Sequence, residues 1–216
     1  RSEAGFTIIE FMVAVGLLSV LMLAITTSFT FQQQTYVVVD QVAEAKQNVR
    51  VVADLMEREL RNAGYLVPDT GIACGVDDVN GPDKLYVSDA SALVDLGTLP
   101  SALLTAPLGA VVENPGAAAG GGSPTLTLST LDIDNVAGAD FSVGSGLILA
   151  DRNAASTAVA CGTITNIGGG AASVPVQVDL DNGTGGLPPG AELVAVPAIV
   201  YEVIGGQLRR NGIALV

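Results

Sequence analysis

The side chains best suited to chemistry in this chain are few. They are two cysteines, Cys74 and Cys161, two aspartate-rich segments, and Glu10, a lone carboxylate at the start of an apolar run. There is no histidine. That removes Ser–His–Asp and Cys–His catalysis and every histidine-based metal site. Two cysteines cannot complete a four-ligand zinc site unless two carboxylates join them. No nucleophile–base pair or metal constellation is visible, so an enzyme is the weakest reading and no catalytic residue is assigned.

The aspartate segments are Asp132-Ile133-Asp134-Asn135 and Asp179-Leu180-Asp181-Asn182-Gly183. Calcium takes roughly six to eight oxygens, and such a turn supplies only a few. Asp132, Asp134, Asp179 and Asp181 are therefore calcium candidates of the second rank. Aspartate and asparagine are ordinary turn residues first, and no cofactor is otherwise expected. In an exported protein, two cysteines read by default as one disulfide, and the alternative is two buried free thiols. A bridge would close a long loop and contribute about 4–5 kcal/mol in the chain-entropy model.

These residues need elements to hold them, and the chain divides into two kinds of sequence. All 10 prolines, and every one of the 26 glycines except Gly5, Gly16 and Gly64, lie after Gly64. Residues 6–64 read as one helix. Phe11 to Val39 contains no charged residue, and its core, Phe11 to Phe31, is long enough to cross a bilayer, which takes about 20 apolar residues. From Asp40 the pattern turns amphipathic. Val42, Ala45, Val49, Val52, Met56, Leu60 and Ala63 share one helical stripe, which asks for a globular domain against it. Asp54 precedes Arg58, and Glu57 precedes Arg61, at the spacing and in the order that stabilise a helix. Gly64 ends the helix and Pro68 follows it.

The remainder reads as short strands bounded by turn residues: 84–88, 125–131, 146–151, 157–167, 173–180 and 193–204. Tyr201–Arg210 is a hairpin around Gly205-Gly206. Residues 89–124, with AAAGGGSP at 117–124, read as a long surface loop or weakly structured insertion. No second long helical pattern appears, so the fold class is α+β, a long N-terminal helix packed against an antiparallel sheet. The net charge of −13 repels phosphate backbones and makes direct nucleic-acid binding an unpromising role.

The segment Gly5-Phe6-Thr7-Ile8-Ile9-Glu10, followed by the apolar run, resembles the type IV prepilin cleavage motif. The resemblance covers roughly residues 1–30. It implies cleavage between Gly5 and Phe6 by a prepilin peptidase, N-methylation at Phe6, and an assembly role for Glu10. Residues 1–5 are then a leader remnant. Residues 6–39 form the membrane-spanning and filament-core half of the helix, residues 40–64 its amphipathic half, and residues 65–216 a β-rich globular domain. A carboxylate at the start of a membrane helix is costly and normally marks a function or a partner. In the family, that partner is the amino terminus of a neighbouring subunit.

Many pilins carry a proline near the middle of this helix half. Ala24–Phe31 has none; Gly16 and Thr26-Thr27-Ser28 are weaker helix formers able to loosen it, and the sequence leaves open whether the helix melts on assembly. Glu57–Tyr65, Phe141–Gly144 and Tyr201–Arg210 resemble PilW-like minor pilins and type II secretion J-type pseudopilins. Arg209 and Arg210 themselves read as a solvated hairpin edge. The resemblance implies a pilin-like fold and a structural role in a type IV pilus. The implied partners are other pilin subunits in a homo- or hetero-oligomeric filament. The implied location is the bacterial inner membrane as a single-pass protein, then an extracellular filament. A type II secretion pseudopilin, or a membrane-anchored adhesin or binding module, is the alternative.

Overall fold

The computed structural model describes residues 7–64, 67–77, 81–89, 109–120, 122–133, 139–153, 158–170, 173–181, 187 and 191–215. They form one long helix and one antiparallel sheet, a pilin-like α+β architecture. The chain divides into two compact units, Arg1–Val51 and Val52–Val216.

The helix α1 runs Ile8–Asn62, 55 residues, or about 83 Å at ~1.5 Å per residue. Thr7 starts it and Gly64 stops it. Gly64 sits at φ +85°, a left-handed conformation that only glycine adopts without strain, and its N–H donates to Ser88 Oγ at 2.9 Å. The helix is continuous through Gly16 and Thr26-Thr27-Ser28 in the single chain. Thr26 Oγ1 donates to the Met22 carbonyl at 2.7 Å, and Thr27 Oγ1 to that of Ala24 at 2.9 Å. Ser19, Thr30 and Thr35 bond back to their own helix in the same way. Hydroxyls satisfied within the helix need no water, as a membrane span requires.

Among the described residues the second unit has ten strands: β1 (Ala73–Val76), β2 (Lys84–Ser88), β3 (Ala110–Val111), β4 (Thr125–Leu128), β5 (Gly146–Asp151), β6 (Ala160–Ile167), β7 (Val174–Leu180), β8 (Leu193–Ile204), β9 (Gln207–Arg210) and β10 (Ile213–Ala214). The main path is β1-β2-β8-β5-β6-β7-β4, and every pair is antiparallel. β8 organises the sheet. Along one side it pairs with β3 and then β2, and along the other with β5 and then β9. That is why nine consecutive β8 residues, Leu193–Tyr201, are buried. The Gly205-Gly206 turn has φ +60° and +78°, the left-handed pair that a two-residue hairpin needs.

The main core cluster includes Tyr86, Leu126, Leu147, Ile148, Ile164 and Val196; by register Tyr86, Ile148 and Val196 lie on one side of the sheet and Leu126, Leu147 and Ile164 on the other. A second cluster is formed by Val87, Ile199 and Tyr201, against which Met56 and Ala63 of α1 and Leu208 and Leu215 pack. Val52 is the buried residue of α1. Of the apolar stripe, Val52 is buried and Met56 and Ala63 pack on this cluster, whereas Val42, Val49 and Leu60 are exposed.

Residues 89–124 also differ from the expectation. Residues 90–108 lie outside the described ones. Beyond them β3 pairs with β8, and a 3₁₀ turn follows at Pro115–Gly120. Ala110, Val112 and Ala118 are buried, Ala110 by pairing with Ala195 of β8 and Val112 by a bridge to Leu128. Asn114 braces this stretch, accepting from the Thr127 N–H at 2.6 Å and donating to the Thr125 carbonyl at 3.0 Å.

Candidate functional site

The N-terminal site is built from the start of α1. Gly5 and Phe6 lie outside the described residues. From Thr7 onward the geometry is a capping box. The Thr7 N–H and Thr7 Oγ1 both donate to Glu10 Oε2, at 3.1 and 3.0 Å, and the Glu10 N–H donates to Thr7 Oγ1 at 3.3 Å. The carboxylate also lies in the first helical turn, where the helix dipole favours negative charge. Glu10 therefore has local donors in the single subunit. Sequence reasoning gave Glu10 an assembly role but assigned none to Thr7. The signal was present, since Thr-x-x-Glu before an apolar run is the capping-box pattern.

Beyond Glu10 the helix is an apolar surface. Phe11, Leu17, Leu21, Leu23, Phe29 and Phe31 are all exposed. By length and composition α1 is able to cross a membrane.

A second site joins α1 to the C-terminal hairpin. Glu59 receives Arg210 Nη2 at 2.9 Å and Arg210 Nε at 3.1 Å on Oε1, while the Tyr201 hydroxyl donates to its Oε2. Glu59 is 13% exposed and Arg210 30%. Burial opposes the Arg210 cation, but the hydrogen bond and charge of Glu59 outweigh it, and its pKa is raised. Burial, then the hydrogen bond to Glu59, pushes the Tyr201 hydroxyl up as well. Arg210 is thus not the solvated edge that its sequence context suggested. Arg209 Nε is buried without a hydrogen-bond partner, which corrects the same reading for its neighbour. No spacing rule links a helix residue to a hairpin about 150 positions later (|i−j|=151), so Glu59 was not recognisable.

Among the described residues, the calcium candidates Asp132, Asp179 and Asp181 form no group placed to hold a metal. Asp181 accepts Lys84 Nζ on both oxygens, at 2.9 and 3.0 Å, and also accepts the Tyr86 hydroxyl. Burial, then this bond to Asp181, raises the Tyr86 pKa. Asp179 Oδ1 accepts from Ser123 Oγ at 3.1 Å. Asp132 sits in a turn closed by Thr130, and its Oδ1 is buried without a partner. Asp134 lies outside the described residues. Among the described residues no group of three or more acidic or cysteine side chains is placed to hold a metal.

Cys74 of β1 and Cys161 of β6 are joined by a disulfide, with Cα atoms 6.2 Å apart. It ties the segment after the helix to the middle of the sheet.

Residues 1–26 match the family model of the prokaryotic N-terminal methylation motif, the signal of type IV pilins and pseudopilins. No curated protein and no solved structure matches the chain significantly. The motif, followed directly by the apolar helix, indicates a type IV pilin- or pseudopilin-like protein. It implies processing by a prepilin peptidase and assembly with other subunits into a pilus-like filament. The long apolar helix is compatible with inner-membrane anchoring before assembly.

Proposed function

We propose that the protein is a non-catalytic structural subunit of a type IV pilus, a PilW-like minor pilin that acts in pilus assembly. The observation that carries this reading is the methylation motif running straight into a 55-residue helix whose first half is apolar and exposed. Such a surface needs lipid before assembly and other helices after it. In this reading Phe6 is the methylated N-terminus, and Glu10 exchanges its Thr7 contacts for the freed amine of a neighbour. The sheet domain stays outside the cytoplasm, where a disulfide persists. A pseudopilin of a type II secretion system shares the motif and is the second reading.

The test compares sheared filaments from wild-type and Glu10→Ala cells by mass spectrometry. The wild-type subunit is expected in filaments, beginning with methylated Phe6. Glu10→Ala is expected in the membrane fraction, processed, and depleted from filaments. A mature chain beginning elsewhere, or normal incorporation of Glu10→Ala, overturns the proposal. A deletion that abolishes protein secretion but leaves pili intact favours the pseudopilin.

A further inference from the structure

The exposed charges of α1 sort by sign onto two flanks of the helix. At about 100° per residue, Asp40, Glu44 and Asp54 fall within about 80° of one another and Lys46, Arg50 and Arg61 within about 60°, the two groups about a quarter turn apart. Each flank holds one charge of the opposite sign, Arg58 on the acidic and Glu57 on the basic. Both flanks point away from the sheet. Val52, Met56, Glu59 and Ala63, which meet the sheet domain, are centred more than about 120° from either. Arg61 touches Glu57 of its own helix, and among the described residues the other five of the six make no ion pair. Asp40 with Glu44, and Lys46 with Arg50, are like charges four residues apart, which weakens a helix standing alone. The two flanks also match in spacing. Lys46 lies six residues beyond Asp40, Arg50 six beyond Glu44, and Arg61 seven beyond Asp54.

We propose that these flanks join copies of this chain head to tail, the acidic flank of one α1 lying on the basic flank of the next, displaced along the axis by about 9–10 Å at ~1.5 Å per residue. One displacement then pairs Asp40 with the neighbour's Lys46, Glu44 with its Arg50, and Asp54 with its Arg61. The two like-charge pairs that weaken the single helix relieve each other across the contact. A displacement of three residues would instead set Asp54 against the neighbour's Glu57. At the proposed displacement Glu57 stands level with Val51, and Arg58 with Gly64 past the last helical residue, so neither meets a like charge. The contact joins two different surfaces with an axial shift, so it extends into an open assembly and does not close into a pair or ring. Exposed ion pairs contribute little to adhesion one by one; here they select register and partner. The proposal rests on the filament reading and adds that the subunit stands beside its own kind.

Charge reversal tests it in cells whose only copy of the chain is the variant, with the subunit counted in sheared filaments by quantitative mass spectrometry. Glu44→Arg and Arg50→Glu should each be processed normally and fall at least about fivefold in filaments, because each sets like charges face to face. The double reversal, Glu44→Arg with Arg50→Glu, should return to within about twofold of wild type, since each altered residue again meets the opposite sign on the next copy. Residues six apart are not neighbours on one helix, so the rescue cannot arise within the chain. Arg58→Glu is the control expected to incorporate normally. Normal incorporation of both single reversals overturns the proposal. So does a double reversal that stays depleted, which would make the neighbour a pilin of different sequence. Absence of the wild-type chain from filaments strikes the filament reading itself, and this contact with it.

Discussion

At the scale of residues, the decisive contacts outside the N-terminal motif are the three that meet at Glu59. A carboxylate 13% exposed is tolerable because one cation and one hydroxyl satisfy it. Arg210→Ala leaves that carboxylate half-paired and should lower stability by about 1–3 kcal/mol, the usual cost of orphaning a buried partner. Chemical denaturation checks it, and Arg58→Ala on the same helix, outside the trio, is the control expected to fall near zero. The two buried tyrosines set a pH limit. Tyr86 and Tyr201 have folded pKa values raised above the ordinary 10.0. The native state therefore keeps protons that the unfolded chain releases, so stability is intact below pH 10 and is lost as pH rises further. In an alkaline titration the tyrosinate absorbance of these two should appear together with loss of circular dichroism. If it appears while the fold is intact, the burial argument fails. Glu10 was legible in the sequence because a charge at the edge of an apolar run stands out. Glu59 was not, because its partners are set by tertiary packing.

At the scale of elements, local patterns carried most of the reading. The helix ends lie within two residues of those expected, since Thr7 and Gly64 are strong start and stop signals. The strands at 84–88, 146–151 and 193–204 match β2, β5 and β8, and the Gly-Gly hairpin is in place. Other expected strands were longer than β4, β6 and β7, because β-rich composition continues past the last ladder pairing. β1, β3 and β10 went unseen. They are four, two and two residues long, too short to show alternation, and exist because β2, β8 and β9 offer them an edge. β1 is the element that the disulfide most directly holds. Cys74→Ser with Cys161→Ser should lower stability by about 2–5 kcal/mol, given a sequence separation of 87. Guanidinium unfolding measures it. Hydrogen exchange should then show β1 amides losing protection first, and uniform loss across the sheet would contradict a local tie.

At the scale of the whole molecule, the chain joins two solvents. Its first unit is suited to lipid or other helices, and its second has a core of its own. The point at which one gives way to the other is Val52, not the Val39–Asp40 boundary where charge first returns. Hydropathy marks the end of the membrane stretch, but it is packing that decides where the sheet's cover starts. A fragment beginning at Asp40 keeps every described α1 residue that packs on the sheet, and should unfold cooperatively as a soluble monomer. A fragment beginning at Gly64 lacks Val52, Met56 and Glu59, which uncovers Val87, Ile199 and Tyr201 and leaves Arg210 without its carboxylate. Two lost apolar side chains alone remove about 3 kcal/mol or more. Since domains of this size are stable by only about 5–15 kcal/mol, the shorter fragment should melt far lower or aggregate. Calorimetry and sedimentation of the two fragments decide the matter. Equal melting temperatures would mean that the last turns of α1 are carried by the sheet without supporting it, and that the helix is an anchor rather than part of the fold.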